Sequence, residues 1–214
     1  VIEDLACAMY LLAHDDVAER PYHRARTELL VRTAALIDLA LRGRLVEEAG
    51  VVVLSGAGAE PTGAPVLDGV LRDVGTGHGW KRLARRHRKR TLTEVEDRLL
   101  ETGLLAVRTS RTLLGKRRLT VTRPAVTEEV RTRVSEALRG DTPVREIPAA
   151  DAALLALASA GDVRPVLSRQ DRRTHRDRID ACTRSLAALA PGLAGTVQDL
   201  PMTMIAAQGG MGGS

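Results

Sequence analysis

Ten consecutive residues, Lys81-Arg82-Leu83-Ala84-Arg85-Arg86-His87-Arg88-Lys89-Arg90, carry seven lysine or arginine side chains and no acid. Cations at that density repel one another and attract polyanions. From Lys81 to Arg123 there are fourteen basic side chains against four acids (Glu94, Glu96, Asp97, Glu101), a local +10 in a chain whose total is +5. The other 171 residues therefore sum to −5, and the chain reads as a mildly acidic body with one strongly basic element. Nucleic acid and an anionic membrane surface are the two polyanions that such an element fits.

Other chemistry-bearing residues do not assemble. The five histidines (His14, His23, His78, His87, His175) lie in polar turns or arginine-rich segments, and neither an HExxH nor a paired Cys/His spacing occurs. The loop Ser55 to Gly63 contains Gly56 and Gly58, but Glu60 and Pro61 follow where a phosphate-cradling loop opens a helix. There is no GxSxG elbow and no P-loop lysine, and the adjacent Asp15 and Asp16 read as turn-solvating acids. The expectation is a protein without catalysis, metal or cofactor. Cys7 and Cys182, far apart, read as buried small hydrophobes, and with no basic leader region at the start the chain is expected to be cytoplasmic.

The elements that position the basic run follow from composition and spacing. Of 214 residues, 44% are hydrophobic and 1% aromatic, with no Phe, two Tyr and one Trp. A core of Leu, Val and Ala favours helices. Helices are expected over Ile2–Leu12, Arg24–Leu41 (closed by Gly43) and Pro65–Asp73. Trp80–Leu105 follows as one helical region broken near Thr91, then Thr127–Leu138 with Thr127 as N-cap, and Ala152–Ala158 capped by Asp151. A charged helical stretch over Val163–Leu189 broken near Ser168, and a last helix Gly192–Ala207, complete the set. Hairpins are expected at Leu45–Leu54 around Ala49-Gly50, and at Leu104–Thr122 with the apolar tip Thr112-Leu113-Leu114-Gly115. Residues 1–207 read as one domain and Gln208–Ser214 as a flexible Gly-rich tail.

Two binding readings compete. A helix ending at Gly103 followed by a basic hairpin has the form of a recognition helix and wing. Against it, that helix carries four carboxylates, the chain has no Asn, and Gln occurs only outside this unit. The second reading is a peripheral membrane protein whose basic run meets an anionic headgroup while Leu113 and Leu114 insert.

A family resemblance favours the second. Leu36-Ile37-Asp38-Leu39-Ala40-Leu41-Arg42-Gly43-Arg44-Leu45 resembles the LIELALRGRL helix end of the Golgi phosphoprotein 3 family. Pro61-Thr62-Gly63, Val66-Leu67-Asp68, Trp80, Arg98 to Leu105 and Ala153 to Leu157 follow in the family's order. The resemblance implies a mainly α fold, with a helical-bundle core, amphipathic surrounding helices and a protruding β-hairpin. It also implies binding of phosphatidylinositol 4-phosphate without enzymatic activity. The family's headgroup pocket uses a tryptophan and three arginines. Ungapped counting puts the tryptophan on His23 beside Tyr22, the first arginine on Arg32, and the other two on Lys89, beside Arg88 and Arg90, and on Leu92. The implied headgroup residues are thus Tyr22, His23, Arg32, Lys89 and Arg90, with Leu113 and Leu114 for insertion, an anionic phosphoinositide-like lipid as partner, and a homo-oligomer through the hairpin as a further possibility. Lysine offers a point charge where arginine offers a fork, so the pocket is expected to discriminate less among phosphate arrangements. Arg32 has a second reading, as the ion-pair partner of an acid such as Asp38 or Glu28.

Overall fold

Three helices without a solvated face make the centre of the computed structural model, which describes residues 4–56, 60–75, 77–108 and 118–209, with side chains to 205. In α1 (Leu5–Leu12) all eight residues are buried, and in α2 (Arg24–Leu41) every residue from Thr27 to Leu39 is. α1, apolar all round, has nowhere to go but the interior, and α2 packs on it with Glu28, Arg32 and Asp38 as buried charges. Asp4 caps α1 by accepting from the Ala6 and Cys7 amides, and Asp38 of α2 accepts from the Leu5 amide at 2.8 Å. The helix expected from Ile2 therefore starts at Leu5.

Around this pair lie α3 (Pro65–Arg72), α4 (Trp80–Arg85), α5 (Arg88–Glu101), α6 (Pro124–Arg139) and α7 (Ala149–Ala160), the third central helix. The shell is completed by α8 (Arg169–Thr174), α9 (Arg176–Ser185) and α10 (Pro191–Gly209). α2 packs against α1, α5 and α7, and α7 in turn against α6 and α9. The strands, β1 (His14–Asp15), β2 (Arg20–Pro21), β3 (Leu45–Glu48), β4 (Val51–Leu54), β5 (Leu105–Arg108) and β6 (Arg118–Val121), pair as three antiparallel hairpins. The fold is mainly α, as composition and resemblance imply. At the β3–β4 turn both Ala49 and Gly50 have positive φ, which matches the twist of a two-residue hairpin loop. The expected hairpin tip, Leu113 and Leu114 included, lies outside the described residues. So do residues 210–214 of the expected tail, whose first two residues, Gln208 and Gly209, belong to α10.

Helix starts depart from expectation for local reasons. Thr127 is not a cap: Pro124, with φ already set for a helix, opens α6 one turn earlier and leaves Thr127 buried inside it. Asp151 is not the cap of α7 either. It lies in the first turn and accepts from Arg133 Nε at 2.9 Å. The break in the basic region falls at His87 rather than Thr91, because His87 adopts a left-handed conformation (φ 54°). That turn lets Leu83 and Ala84 of α4 and Leu92 and Val95 of α5 all face the core. Val163 to Leu167 is turn and loop, not the first part of a helical stretch: Ser168 starts the helix as the N-cap of α8, in a capping box with Asp171, whose carboxyl the Ser168 and Arg139 hydrogen bonds hold down at about 2, and the break in the stretch falls at His175 between α8 and α9.

Both cysteines are buried and free, and burial raises both thiols, so neither is a ready thiolate. Trp80 is buried too, and its indole N–H donates to Glu47 at 3.0 Å. The same carboxylate accepts from the Gly192 amide at 2.8 Å, so it ties β3, α4 and α10 together. Glu47→Ala leaves both donors unsatisfied and is expected to cost about 1–3 kcal/mol. Urea unfolding followed by Trp80 fluorescence checks this, since it is the chain's one tryptophan.

Burial, reinforced by the neighbouring Asp38 charge, raises the Asp4 carboxyl to about 6. The protonated form is therefore the one the fold prefers. Stability from this group is complete below pH 4, falls as pH rises to about 6, and stays at the lower level above. Asp4→Asn keeps the cap without the charge, so it is expected to flatten that slope and to stabilise the protein at pH 7 by up to about 3 kcal/mol, read from unfolding midpoints at pH 4 and 7.

Candidate functional site

The basic run is built as a helix whose apolar side is anchored and whose cationic side is left in water. Trp80, Leu83 and Ala84 face inward, while Lys81, Arg82, Arg85 and Arg86 line a surface concavity of about 420 Å³. Lys81 pairs with Asp199 of α10 at 2.9 Å, and Arg86 contacts His78 Nε2 at 2.6 Å. Arg82, Arg85 and Lys89 are exposed and have no side-chain partner among the described residues.

Past His87 the first turn of α5 divides. Arg88 turns to the start of α2, where its Nε lies 3.5 Å from Glu28, which also faces Arg24 at 3.9 Å, and Arg24 in turn donates to Glu96 at 3.0 Å. Just before Arg24, Tyr22 and His23 stack edge to face, 4.4 Å between ring centres. They line a cavity of about 780 Å³ together with Asp15, Arg20, Arg24 and Arg118. His23 is exposed, left-handed (φ 49°), and makes no side-chain bond to the α2 terminus that it caps. The Arg20 side chain has no partner among the described residues.

Arg90 turns the other way, to Asp73 at the end of α3. Asp73 also accepts from Arg32 Nη1 at 3.0 Å. Arg32 is wholly buried, and its Nε donates to the Leu83 carbonyl at 3.2 Å and its Nη1 to the Thr91 hydroxyl at 3.1 Å. Burial lowers its guanidinium from its ordinary value, and Asp73 opposes that. Neither acid first considered as its partner is used: Glu28 faces Arg24 and Arg88, while Asp38 holds the Leu5 amide and Arg42.

Of the residues expected to form one pocket, Tyr22 and His23 thus share a cavity, Lys89 stands free at the start of α5, and Arg32 and Arg90 converge on Asp73. Sequence reasoning missed Asp73, Arg20 and Arg118. Asp73 is the last residue of an ordinary helical pattern, and its role follows only from two arginines 41 and 17 residues away.

The hairpin is held beside the cavity by β1–β2. Glu19, left-handed at φ 52°, accepts from Arg108 Nη1 at 2.7 Å and Thr120 Oγ1 at 2.9 Å and lies 3.6 Å from Arg118. Its carbonyl accepts from the Leu119 amide at 2.9 Å, and the Leu119 carbonyl bonds His14 Nε2 at 2.8 Å. The exposed residues of α5 are Lys89, Arg90, Thr93, Asp97, Arg98 and Glu101, so past its first turn the helix that a winged-helix reading puts in a groove presents two acids and one cation. Among the described residues no cluster of acids, histidines and cysteines could hold a metal ion, and no helix is long and apolar enough to cross a membrane.

A mainly α-helical domain with a cation-rich helix pair and an anchored β-hairpin is the class that this fold and surface define. The model of the family described as Golgi phosphoprotein 3 (GPP34) matches residues 5–200, and the chain belongs to that family. No curated protein matches the chain in sequence.

Hydrogen bonds from Arg108 and then Thr120 lower the Glu19 carboxyl below its ordinary value. The anchor it provides is therefore present above the ordinary glutamate range and lost as pH falls through the lowered value. Amide exchange at Leu119, corrected for its intrinsic rate, is expected to accelerate on acidification, and in Glu19→Gln to be fast at every pH.

Proposed function

We propose that the chain is a non-catalytic peripheral membrane protein that reads an anionic, phosphoinositide-type headgroup from the cytoplasmic side. Membership of the Golgi phosphoprotein 3 family supports a lipid-binding role. The observation that carries the reading is that Arg82, Arg85 and Lys89, on α4 and the first turn of α5, and Arg20, in the lining of the cavity that holds Tyr22 and His23, are exposed cations without side-chain partners among the described residues. Each basic side chain near an anionic surface contributes about 1 kcal/mol. Electrostatics alone gives reversible binding, and stable anchoring takes a second, apolar signal. Leu113 and Leu114 supply that signal in this reading, inserting beside the headgroup, and the same hairpin is the contact through which two copies pair. Phosphatidylinositol 4-phosphate is the headgroup that family membership favours. His23, where the family has an aromatic indole, donates to phosphate when protonated.

Flotation with vesicles of phosphatidylcholine alone, or with phosphatidylserine or phosphatidylinositol 4-phosphate added, tests it. Binding is expected only to the anionic vesicles. Arg82→Glu with Arg85→Glu and Lys89→Glu is expected to weaken it about 100-fold or more, three cations at about 1 kcal/mol each being lost and then reversed. Leu113→Asp with Leu114→Asp should release the protein from vesicles while leaving binding of soluble inositol phosphate intact. Equal, low binding to all vesicles sinks the reading, and a salt-sensitive shift of duplex DNA in its place favours a nucleic-acid binder.

A further inference from the structure

Arg90, Asp73 and Arg32 form a column of alternating charge running inward from the surface. The Arg90 side chain is 48% exposed, that of Asp73 8%, and that of Arg32 not at all. One carboxylate oxygen of Asp73 faces Arg32 and the other faces Arg90. Two features set this apart from an ordinary buried ion pair. Arg32 Nη2 is buried with no hydrogen-bond partner, so the guanidinium has donor capacity that the single carboxylate does not use. Asp73 is also the C-cap of α3, the carbonyl end of a helix, where a carboxylate is electrostatically misplaced. The two guanidiniums, not the helix, keep it there.

A carboxylate shared between two guanidiniums occupies the position that two oxygens of a phosphate take between the same donors, and a phosphate's third oxygen would meet the idle Nη2. Arg32 and Arg90 are already among the residues that the resemblance implies for a headgroup phosphate; we infer that this chain fills the phosphate position between them with its own Asp73, which makes Asp73 the residue that sets affinity and selectivity for a phosphomonoester there. Glu94 is the other acid facing the column. It lies 3.4 Å from Arg90, its Oε2 also lacks a partner, and burial raises its carboxyl above the ordinary range. Thr91 adds a hydroxyl at the inner end, and Val74 and Gly75 follow Asp73 outside the helix, so the carboxylate sits where α3 gives way to loop. For a lipid-borne phosphate the inference rests on the headgroup reading above; for free phosphate it does not.

The test compares the wild type with Asp73→Asn, and with Asp73→Ser as a second variant, by thermal unfolding in sodium phosphate against chloride of equal ionic strength. Titration with soluble inositol phosphate and flotation on vesicles containing phosphatidylinositol 4-phosphate complete it. Phosphate is expected to raise the unfolding temperature of the wild type by less than that of either variant, since only the exposed cations are open to it. Each variant is expected to unfold higher in phosphate and to bind inositol phosphate at least ten-fold more tightly than the wild type. Adding Arg90→Gln should cancel both gains. If a variant folds poorly in chloride, phosphate must restore its folding. Variants that gain no more from phosphate than the wild type in any assay overturn the inference and leave Asp73 a structural ion-pair partner. A gain for the soluble ligands alone, with no gain on vesicles, keeps the site and assigns it to free phosphate. Wild-type protein that ignores all anionic vesicles, with variants that gain phosphate binding, rejects the headgroup reading and upholds this one.

Discussion

A guanidinium with no exposed surface, in the middle of a helix buried from Thr27 to Leu39, is the constraint from which the arrangement of the site follows. A buried charge must be paired and hydrogen-bonded or the fold loses several kcal/mol. The Nε and Nη1 of Arg32 are met by groups from three other segments: the end of α3 through Asp73, the backbone of α4 through Leu83, and the first turn of α5 through Thr91. Those contacts fix where α4 stops and α5 starts, because the Leu83 carbonyl and the Thr91 hydroxyl must reach one side chain across the turn at His87. The left-handed His87 is the local consequence of that demand.

The same constraint sorts the basic run into two populations. Arg88 and Arg90 neutralise acids that the core brings close, Glu28 and Asp73, and so belong to the internal ledger of the fold. Arg82, Arg85 and Lys89 are exposed and pair with no acid among the described residues. A local +10 therefore overstates the surface charge on offer, and among the described residues of that segment the cations without partners lie on α4 and the first turn of α5. Trp80 matters here as an anchor: its bond to Glu47 holds α4 so that the free cations face outward.

The long elements were legible because their signals are local. Arg24–Leu41 and the hairpin at Leu45–Leu54 follow from periodicity, Gly43 and the Ala49-Gly50 turn, and they match to the residue or nearly so. Helix starts were less legible. Thr127 and Asp151 have the chemistry of caps, but a proline had already set each start, Pro124 as the first residue of α6 and Pro148 as the N-cap of α7. The candidate site was legible in part. Tyr22 and His23 do share a cavity and Lys89 does stand free, whereas Arg20 and Arg118 enter that cavity through pairings that spacing along the chain does not reveal.

Composition, periodicity and motif order are properties of neighbouring residues, and they carry the helical class, the family and the place of the excess charge. Which charges cancel depends on how the helices pack. Glu28 is one turn from Arg32 and Asp38 is six residues on, around the other side of the helix, yet the acid that pairs with Arg32 lies 41 residues away. Ion pairing depends on distance through space in a low-dielectric interior, and the packing of α3 and α5 against α2 sets that distance.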